Sequence, residues 1–400
     1  MSSPTQKPRP TLIKPPPPLP QASPIETLLQ LHPLTDISPT VYTNAYPLWH
    51  PPGARGIYGG AAIAQSLSAA QATIPLHFVV HSMHCYFVLA GDSEIPVIYE
   101  VERVRDGRSF VTRTVQARQR GRCIFTTTIS FMREGSGGEI KLEHQSGMPT
   151  DVEMPPEGRG NARQGTGNAS IGGDDGSTPF ESVKCRVSRL RDGRPEERRT
   201  RQWIRAKGRI SDGLVGIEAG GDTLDQGQGV VPAPKGDNHQ AHLSALAYMS
   251  DSYFIGTIAR VHNLIRYSTR SSIEKTLKNF HGSDKEKEEM RAHMEKIARE
   301  DDDETAAFDA NRDREGTSQK QIGMMVSLDH SIYFHNPRNF RADEWMFSEM
   351  NSPWAGEGRG LVWQRIWSKD GVLIATCIQE GLVRLKQEQE TTPSIEIWSR

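Results

Sequence analysis

The stretch GMMVSLDHSIYFHNP, residues 323–337, gathers groups that can hold and polarise a small molecule. In an extended strand, side chains alternate between two faces. Ser327, Asp329, Ser331 and Tyr333 then share one face, and Val326, Leu328, Ile332 and Phe334 the other. Three hydroxyls and a carboxylate can together donate, accept and take up a proton. The same alternation fits an ordinary sheet with one wet face, and period alone does not choose. Gly59 and Gly60 open an Ala-rich segment; if it is a helix, its first backbone N–H groups are unpaired donors. His81 and His84, in VHSMHCYF, read as satisfied packing residues rather than metal ligands. The four cysteines, Cys85, Cys123, Cys185 and Cys377, are isolated and form no C-x-x-C pair, so they read as free thiols of a reducing compartment.

The elements that must position these groups follow from patterning. GGAAIAQSLSAAQATIP puts Ile63, Leu67 and Ala70 on one helical stripe with alanines around it. So small-sided and apolar a helix is expected to be buried, with Pro75 closing it. HFVVHSMHCYFVL reads as a strand, IPVIYEVERVRDGRSFVTRTVQARQ as a hairpin turning at Asp106-Gly107, and GRCIFTTTISFM as a further strand. HLSALAYMSDSYFIGTIAR, residues 242–260, reads as one helix, with Leu243, Leu246, Ala247, Ser250 and Phe254 on a stripe.

The 400 residues suffice for two domains. Lys plus Arg is 48 against 49 for Asp plus Glu, so charge favours neither nucleic acid nor an anionic membrane. No run is apolar and long enough to span a bilayer, and no secretory h-region opens the chain. Hydrophobic content of 36% is low for a fully packed chain, which points to insertions. Residues 1–24 read as a Pro-rich disordered tail and 133–198 as a flexible insertion. Within 199–388, two further insertions are expected at 213–238 and 268–320, with a tail at 389–400.

The chain repeats itself. Tyr86-Phe87 answers Tyr333-Phe334, Gly121 answers Gly371, and Thr126 answers Thr376. A buried helix wrapped by an antiparallel meander, occurring twice, implies an α+β tandem double hot-dog with units over 25–132 and 199–388. Aligned this way, Ser327 falls opposite Val80 and Gln379 opposite Ile129.

GGAAIAQSLSAAQATIP, VHSMHCYFV, YEVERVRDGRSFVTRTVQARQRGRCIFT, SDSYF, SLDHSIYFH, FRADEW, SPWAGEGRG and DGVLIATCIQEGLVR, in that order, resemble the type II acyl-CoA thioesterases, the TesB-like family. The resemblance implies a double hot-dog that hydrolyses fatty acyl-CoA to free acid and CoA, without a cofactor or metal. It also implies three catalytic residues. Asp251 comes from the MSDSYF block, Ser327 from two positions before Asp329-His330, and Gln379 from the final QEG. The chain carries Ser where the bacterial pattern has Thr, and it inserts 268–320 between Asp251 and Ser327.

On this reading Asp251 is the base or orienter of a water that Ser327 and Gln379 help to hold, with its carboxyl raised by partial burial. The backbone N–H groups of Gly59 and Gly60 are candidate substrate-binding donors. Because the first half has Val80 and Ile129 at the matching positions, one site per chain is expected, built by the second unit. Two alternatives stay open: a hot-dog enoyl-CoA hydratase using Asp329 and His330, and a non-catalytic acyl-CoA-binding scaffold. The expected partner is a medium- or long-chain fatty acyl-CoA, with no nucleic acid and no membrane insertion; homo-oligomerisation through the sheets is open. Family resemblance suggests a peroxisomal matrix or cytoplasmic location, although the terminal Trp398-Ser399-Arg400 does not match a Ser-Lys-Leu-type signal.

Overall fold

The computed structural model describes residues 9–18, 22–50, 56–156, 178–188, 193–212, 238–262 and 322–386, with scattered positions between 264 and 295. Most of the 213–238 insertion, much of 268–320 and the 389–400 tail lie outside the described residues, as does the C-terminal tripeptide.

Among the described residues, thirteen strands form one antiparallel sheet. The first unit contributes β1 (Leu31–Pro33), β2 (Val41–Asn44), β3 (Phe78–Phe87), β4 (Ile98–Asp106), β5 (Phe110–Gln119) and β6 (Arg122–Arg133). The second contributes β7 (Phe180–Ser188), β8 (Arg199–Ala206), β9 (Ile322–Ser327), β10 (Asp329–Phe334), β11 (Met346–Gly356), β12 (Arg359–Ser368) and β13 (Leu373–Leu385). Their spatial order is β1-β2-β4-β5-β6-β3-β10-β13-β12-β11-β8-β7, and β9 pairs with β13. The seam between units is the β3–β10 pair, which runs from Asp329 opposite Tyr86 to Tyr333 opposite Ser82.

The helices are α1 (Pro24–Leu29), α2 (Gly59–Gln71), α3 (His239–Ser250) and α4 (Gly256–Val261). The small residues of α2 allow close approach. Ala61, Ala62, Ala64, Ala69 and Ala70 are buried, and a methyl at Gly60 would sit 2.2 Å from the Tyr248 carbonyl oxygen of α3. The two helices run antiparallel: Gly60 lies beside Tyr248, while Ser68 bonds Ser244 at 3.1 Å near the other end. One apolar core joins both units around this helix pair. This is the double hot-dog that the repeat implies.

The repeat is visible in the pairing. Tyr86 faces Thr126 in the first unit, and Tyr333 faces Thr376 in the second. Both units also carry a β-bulge at the same place. In the first, Val80 pairs Phe131 and Ser82 pairs Ser130, so His81 is extra. In the second, Ser327 pairs Gly381 and Ser331 pairs Ile378.

Five expectations meet a different arrangement. Alternation through 323–337 does not run unbroken, because the bulge shifts the phase between Ser327 and Ser331. Val326 is 46% exposed whereas Ile332 is fully buried, so they do not share a face. Residues 242–260 are two helices, interrupted at Asp251–Ile255, where Tyr253 takes φ 61°. The stretch 133–198, expected to be flexible, contains strand β7. Its part from Gln145 to Val152 also covers a second core cluster of Trp203, Trp345, Phe347, Trp367 and Leu373. Trp367 donates to the Ser146 carbonyl at 2.9 Å, and Gln145 brackets Gly371 and Leu373. Finally, described residues of the Pro-rich stretch are held in place: Pro10 and Pro16 carbonyls accept from Asn44 and Tyr46. In the 268–320 stretch, expected only as an insertion, the described residues Ile273, Leu277, Met290 and Met294 bury one another in a small apolar cluster.

Candidate active site

Where α3 ends, the chain turns over the sheet of the second unit, and Asp251 stands at that end. Its Oδ1 accepts from Gln379 Nε2 at 2.9 Å. It also accepts from the backbone N–H of Gly60 in the first turn of α2. A helix N-terminus favours a negative charge there. A Cβ on Gly59 would lie 2.7 Å from Asp251 Oδ2, so glycine is what lets the carboxylate reach the helix start. Burial pushes the Asp251 carboxyl up to about 6, against the opposing pull of the Gln379 and Gly60 donors.

Gln379 is fully buried on β13. Its Nε2 also lies 3.0 Å from His330 Nδ1, and His330 Nε2 lies 3.0 Å from Ser250 Oγ. Ser250 Oγ in turn donates to the Ala247 carbonyl at 2.9 Å. Gln379 Oε1 is buried without a hydrogen-bond partner among the described residues. His330 is fully buried, stacks edge-on against Phe254, and has its imidazole pushed down to about 3 by desolvation. It is neutral at physiological pH.

Ser327 reaches the same sheet face by register. It pairs Gly381, two residues beyond Gln379, and paired residues in a ladder point the same way. The bulge puts His330, three positions further on, on this face too. Ser327 makes no described hydrogen bond to Asp251 or Gln379. The structure thus brings Asp251 and Gln379 into contact and sets Ser327 beside them by pairing. Gly59 and Gly60 meet the carboxylate, and the Gly60 N–H expected to serve substrate is given to Asp251 instead.

Asp329 stands apart from this group. Its Oδ1 accepts from the Glu380 N–H at 2.6 Å and pins the bulge, and burial raises its carboxyl. Both His330 nitrogens are occupied by Gln379 and Ser250, and no described hydrogen bond joins Asp329 to His330. An Asp329–His330 acid–base pair is therefore not assembled. His81 and His84 bond Ser130 and Ser331, at 2.8 and 3.0 Å.

The sequence offers His330 only as the partner of Asp329 in the hydratase alternative, and Ser250 only as a residue of a helical stripe. The signal for His330 was present. Aligned on Tyr-Phe, it falls opposite Met83, just as Ser327 falls opposite Val80. In the first unit Val80, Met83 and Ile129 form a buried apolar patch, with Met83 directly opposite Ile129. In the second unit the equivalent positions are Ser327, His330 and Gln379.

Comparison with known proteins agrees with this architecture. Residues 46–132 match the family model for the acyl-CoA thioesterase N-terminal domain, and 230–383 that for the acyl-CoA thioesterase C-terminal domain. The chain is 30% identical over 379 residues to acyl-coenzyme A thioesterase 8 of Mus musculus, covering 91% of this chain and 90% of that one. It is 37% identical over 125 residues to peroxisomal acyl-coenzyme A thioester hydrolase 1 of Saccharomyces cerevisiae, covering 31% of this chain and 35% of that one. Among solved structures, acyl-CoA thioesterase II TesB2 from Mycobacterium marinum superposes with a TM-score of 0.55 at 25% identity, covering 92% of this chain and 99% of that one.

Proposed function

Since the chain belongs to the TesB-like acyl-CoA thioesterase II family of thioester hydrolases, we propose that it hydrolyses medium- or long-chain fatty acyl-CoA by direct attack of a water held by Asp251, Ser327 and Gln379. A thioester carbonyl is electrophilic enough for an oriented, partly deprotonated water. Asp251 takes the proton as the water oxygen bonds to the carbonyl carbon. The C–S bond then breaks, the sulfur leaves as the CoA thiolate, and Asp251 returns the proton to it. Gln379 Oε1, a buried acceptor without a partner among the described residues, suits the second proton of the attacking water. Ser327 donates to the same water or to the developing oxyanion.

One observation carries this reading. The carboxylate–carboxamide contact of 2.9 Å has no counterpart in the first unit, where Ile129 stands at the position of Gln379 and the buried polar group beside it is Arg113, held by Thr73 and Asp106. The hydratase alternative is less favoured, because His330 bonds Gln379 and Ser250 while Asp329 bonds the Glu380 N–H; the scaffold alternative is less favoured, because it leaves the Asp251–Gln379 contact without a role. We read the two hot-dog domains as 25–132 and 199–388, the second extended at its start to take in β7 (Phe180–Ser188), which pairs with β8. The name of the yeast relative suggests a peroxisomal rather than cytoplasmic location; imaging a fluorescent fusion beside a peroxisomal marker separates the two.

The test is thiol release from a ladder of acyl-CoA chain lengths. Wild type is expected to favour medium or long chains. Asp251→Ala is expected to lose about 10²–10⁴-fold in turnover while staying folded. Undiminished turnover in that variant defeats the assignment.

A further inference from the structure

In a second-unit position where the first unit has Met83, an imidazole touches the catalytic carboxamide. We propose that His330 is a positioning residue: Ser250 holds it in the tautomer with unprotonated Nδ1, and Nδ1 fixes Gln379 with its NH₂ toward Asp251 and its Oε1 left to accept from the attacking water. The proposal rests on the hydrolytic reading above.

Proton bookkeeping along the chain of contacts gives the direction. An ionised carboxylate only accepts, so the Gln379 atom 2.9 Å from Asp251 Oδ1 is the NH₂ group. That same nitrogen lies 3.0 Å from His330 Nδ1, which must then accept. A neutral imidazole with an accepting Nδ1 carries its proton on Nε2. Nε2 therefore donates to Ser250 Oγ at 3.0 Å, and the Ser250 proton is left for the Ala247 carbonyl at 2.9 Å. The carboxylate at one end sets the direction, and Ser250 at the other has its own proton free for the Ala247 carbonyl, with the Cys377 thiol as a further side-chain partner. Both hydrogens of the Gln379 amide are then used, and Oε1 is the atom left over. If the imidazole took the other tautomer, its Nδ1–H would call for Oε1. The amide would turn, and Asp251 would face an oxygen instead of a donor.

The repeat separates this role from packing. Met83 and Ile129 stand at the positions of His330 and Gln379 in the first unit, and the buried polar group there, Arg113, bonds Thr73 and Asp106 instead, so the fold does not need a histidine at that position.

Two measurements test it. In protein labelled with ¹⁵N-histidine, the His330 signal is identified by its loss in His330→Asn. It is expected to show the neutral Nε2–H tautomer between about pH 7 and 8, where Asp251 is ionised. An Nδ1–H tautomer or an imidazolium in that range overturns the proposal, whatever the activity. In kinetics, His330→Asn keeps an acceptor in the place of Nδ1 and is expected to stay within about tenfold of wild type. His330→Leu is expected to lose roughly 10²-fold in kcat with KM little changed. The acid limb of its kcat/KM profile should move to higher pH, because Asp251 loses a fixed donor. The other titratable groups facing Asp251 are Tyr58 at the start of α2, Tyr248 on α3 and Cys85 on β3. All three are pushed up by burial and stay neutral, so the limb reports Asp251. Equal impairment of the Asn and Leu variants with an unmoved limb would mean packing only, and overturns the role. If Asp251→Ala proves fully active, the hydrolytic reading fails first. If Asp251→Ala is inactive and both His330 variants behave as wild type, the positioning role alone fails.

Discussion

Asp251 has its carboxyl at about 6 because it is enclosed, and this has opposite consequences for activity and for stability. As a base it works only when ionised, so turnover should fall on the acid side near that value. The fold, by contrast, prefers it protonated. Its folded value lies above the ordinary 3.8, so there is no penalty below the unfolded value. Stability is lost as pH rises from there through about 6, and the full cost is present at neutral pH. Asp251→Asn keeps an oxygen to accept from Gln379 and removes the charge. It should stabilise the protein by on the order of 2 kcal/mol near pH 7.5, with the gain vanishing near pH 4. Urea unfolding at the two pH values checks this; a variant weaker than wild type at both would contradict it.

The elements hold this residue through two glycines that do different jobs. A methyl on Gly60 would meet the Tyr248 backbone oxygen at 2.2 Å, and a helix backbone has little room to yield. Gly60→Ala should force α2 and α3 apart at a cost of about 1–3 kcal/mol. A methyl on Gly59 would meet the end of the Asp251 side chain, which can move. Gly59→Ala should therefore lower kcat/KM more than it lowers stability, as paired thermal melts and thiol-release assays would show. The close-packed small-residue helix was legible from its alanines. The break after α3 was not, because SDSYF continues helical spacing and Gly256 follows only later; the turn rests instead on Tyr253 adopting a left-handed backbone. The bulge in the opening strand was hidden for a similar reason. Leu328 kept the apolar alternation in phase through the very residues where the ladder slips. That slip brings Ser327 and His330 to one face, so His330 was first weighed beside Asp329 rather than beside Gln379. β7 was hidden by its Gly-rich and charged flanks.

At the scale of the whole molecule, the two units are one design executed twice with different fillings. Exchanging the second filling for the first makes this a test. The variant Ser327→Val, His330→Met and Gln379→Ile carries the residues that Val80, Met83 and Ile129 supply in the matching positions. It should fold cooperatively but melt below wild type at neutral pH, since Asp251 stays buried without its Gln379 donor. It should show no turnover. Calorimetry and thiol release decide, and a variant that fails to fold would mean that the polar trio also holds the structure. The seam between β3 and β10 has a further consequence, for biosynthesis. β3 ends at Phe87 and β10 begins at Asp329, so on the ribosome the first unit waits for roughly 240 residues, or some tens of seconds, before its edge is covered. Throughout that interval the nascent chain displays an unpaired strand of the sort that invites aggregation, so slowing elongation across the intervening segment should tax yield more than slowing it anywhere else.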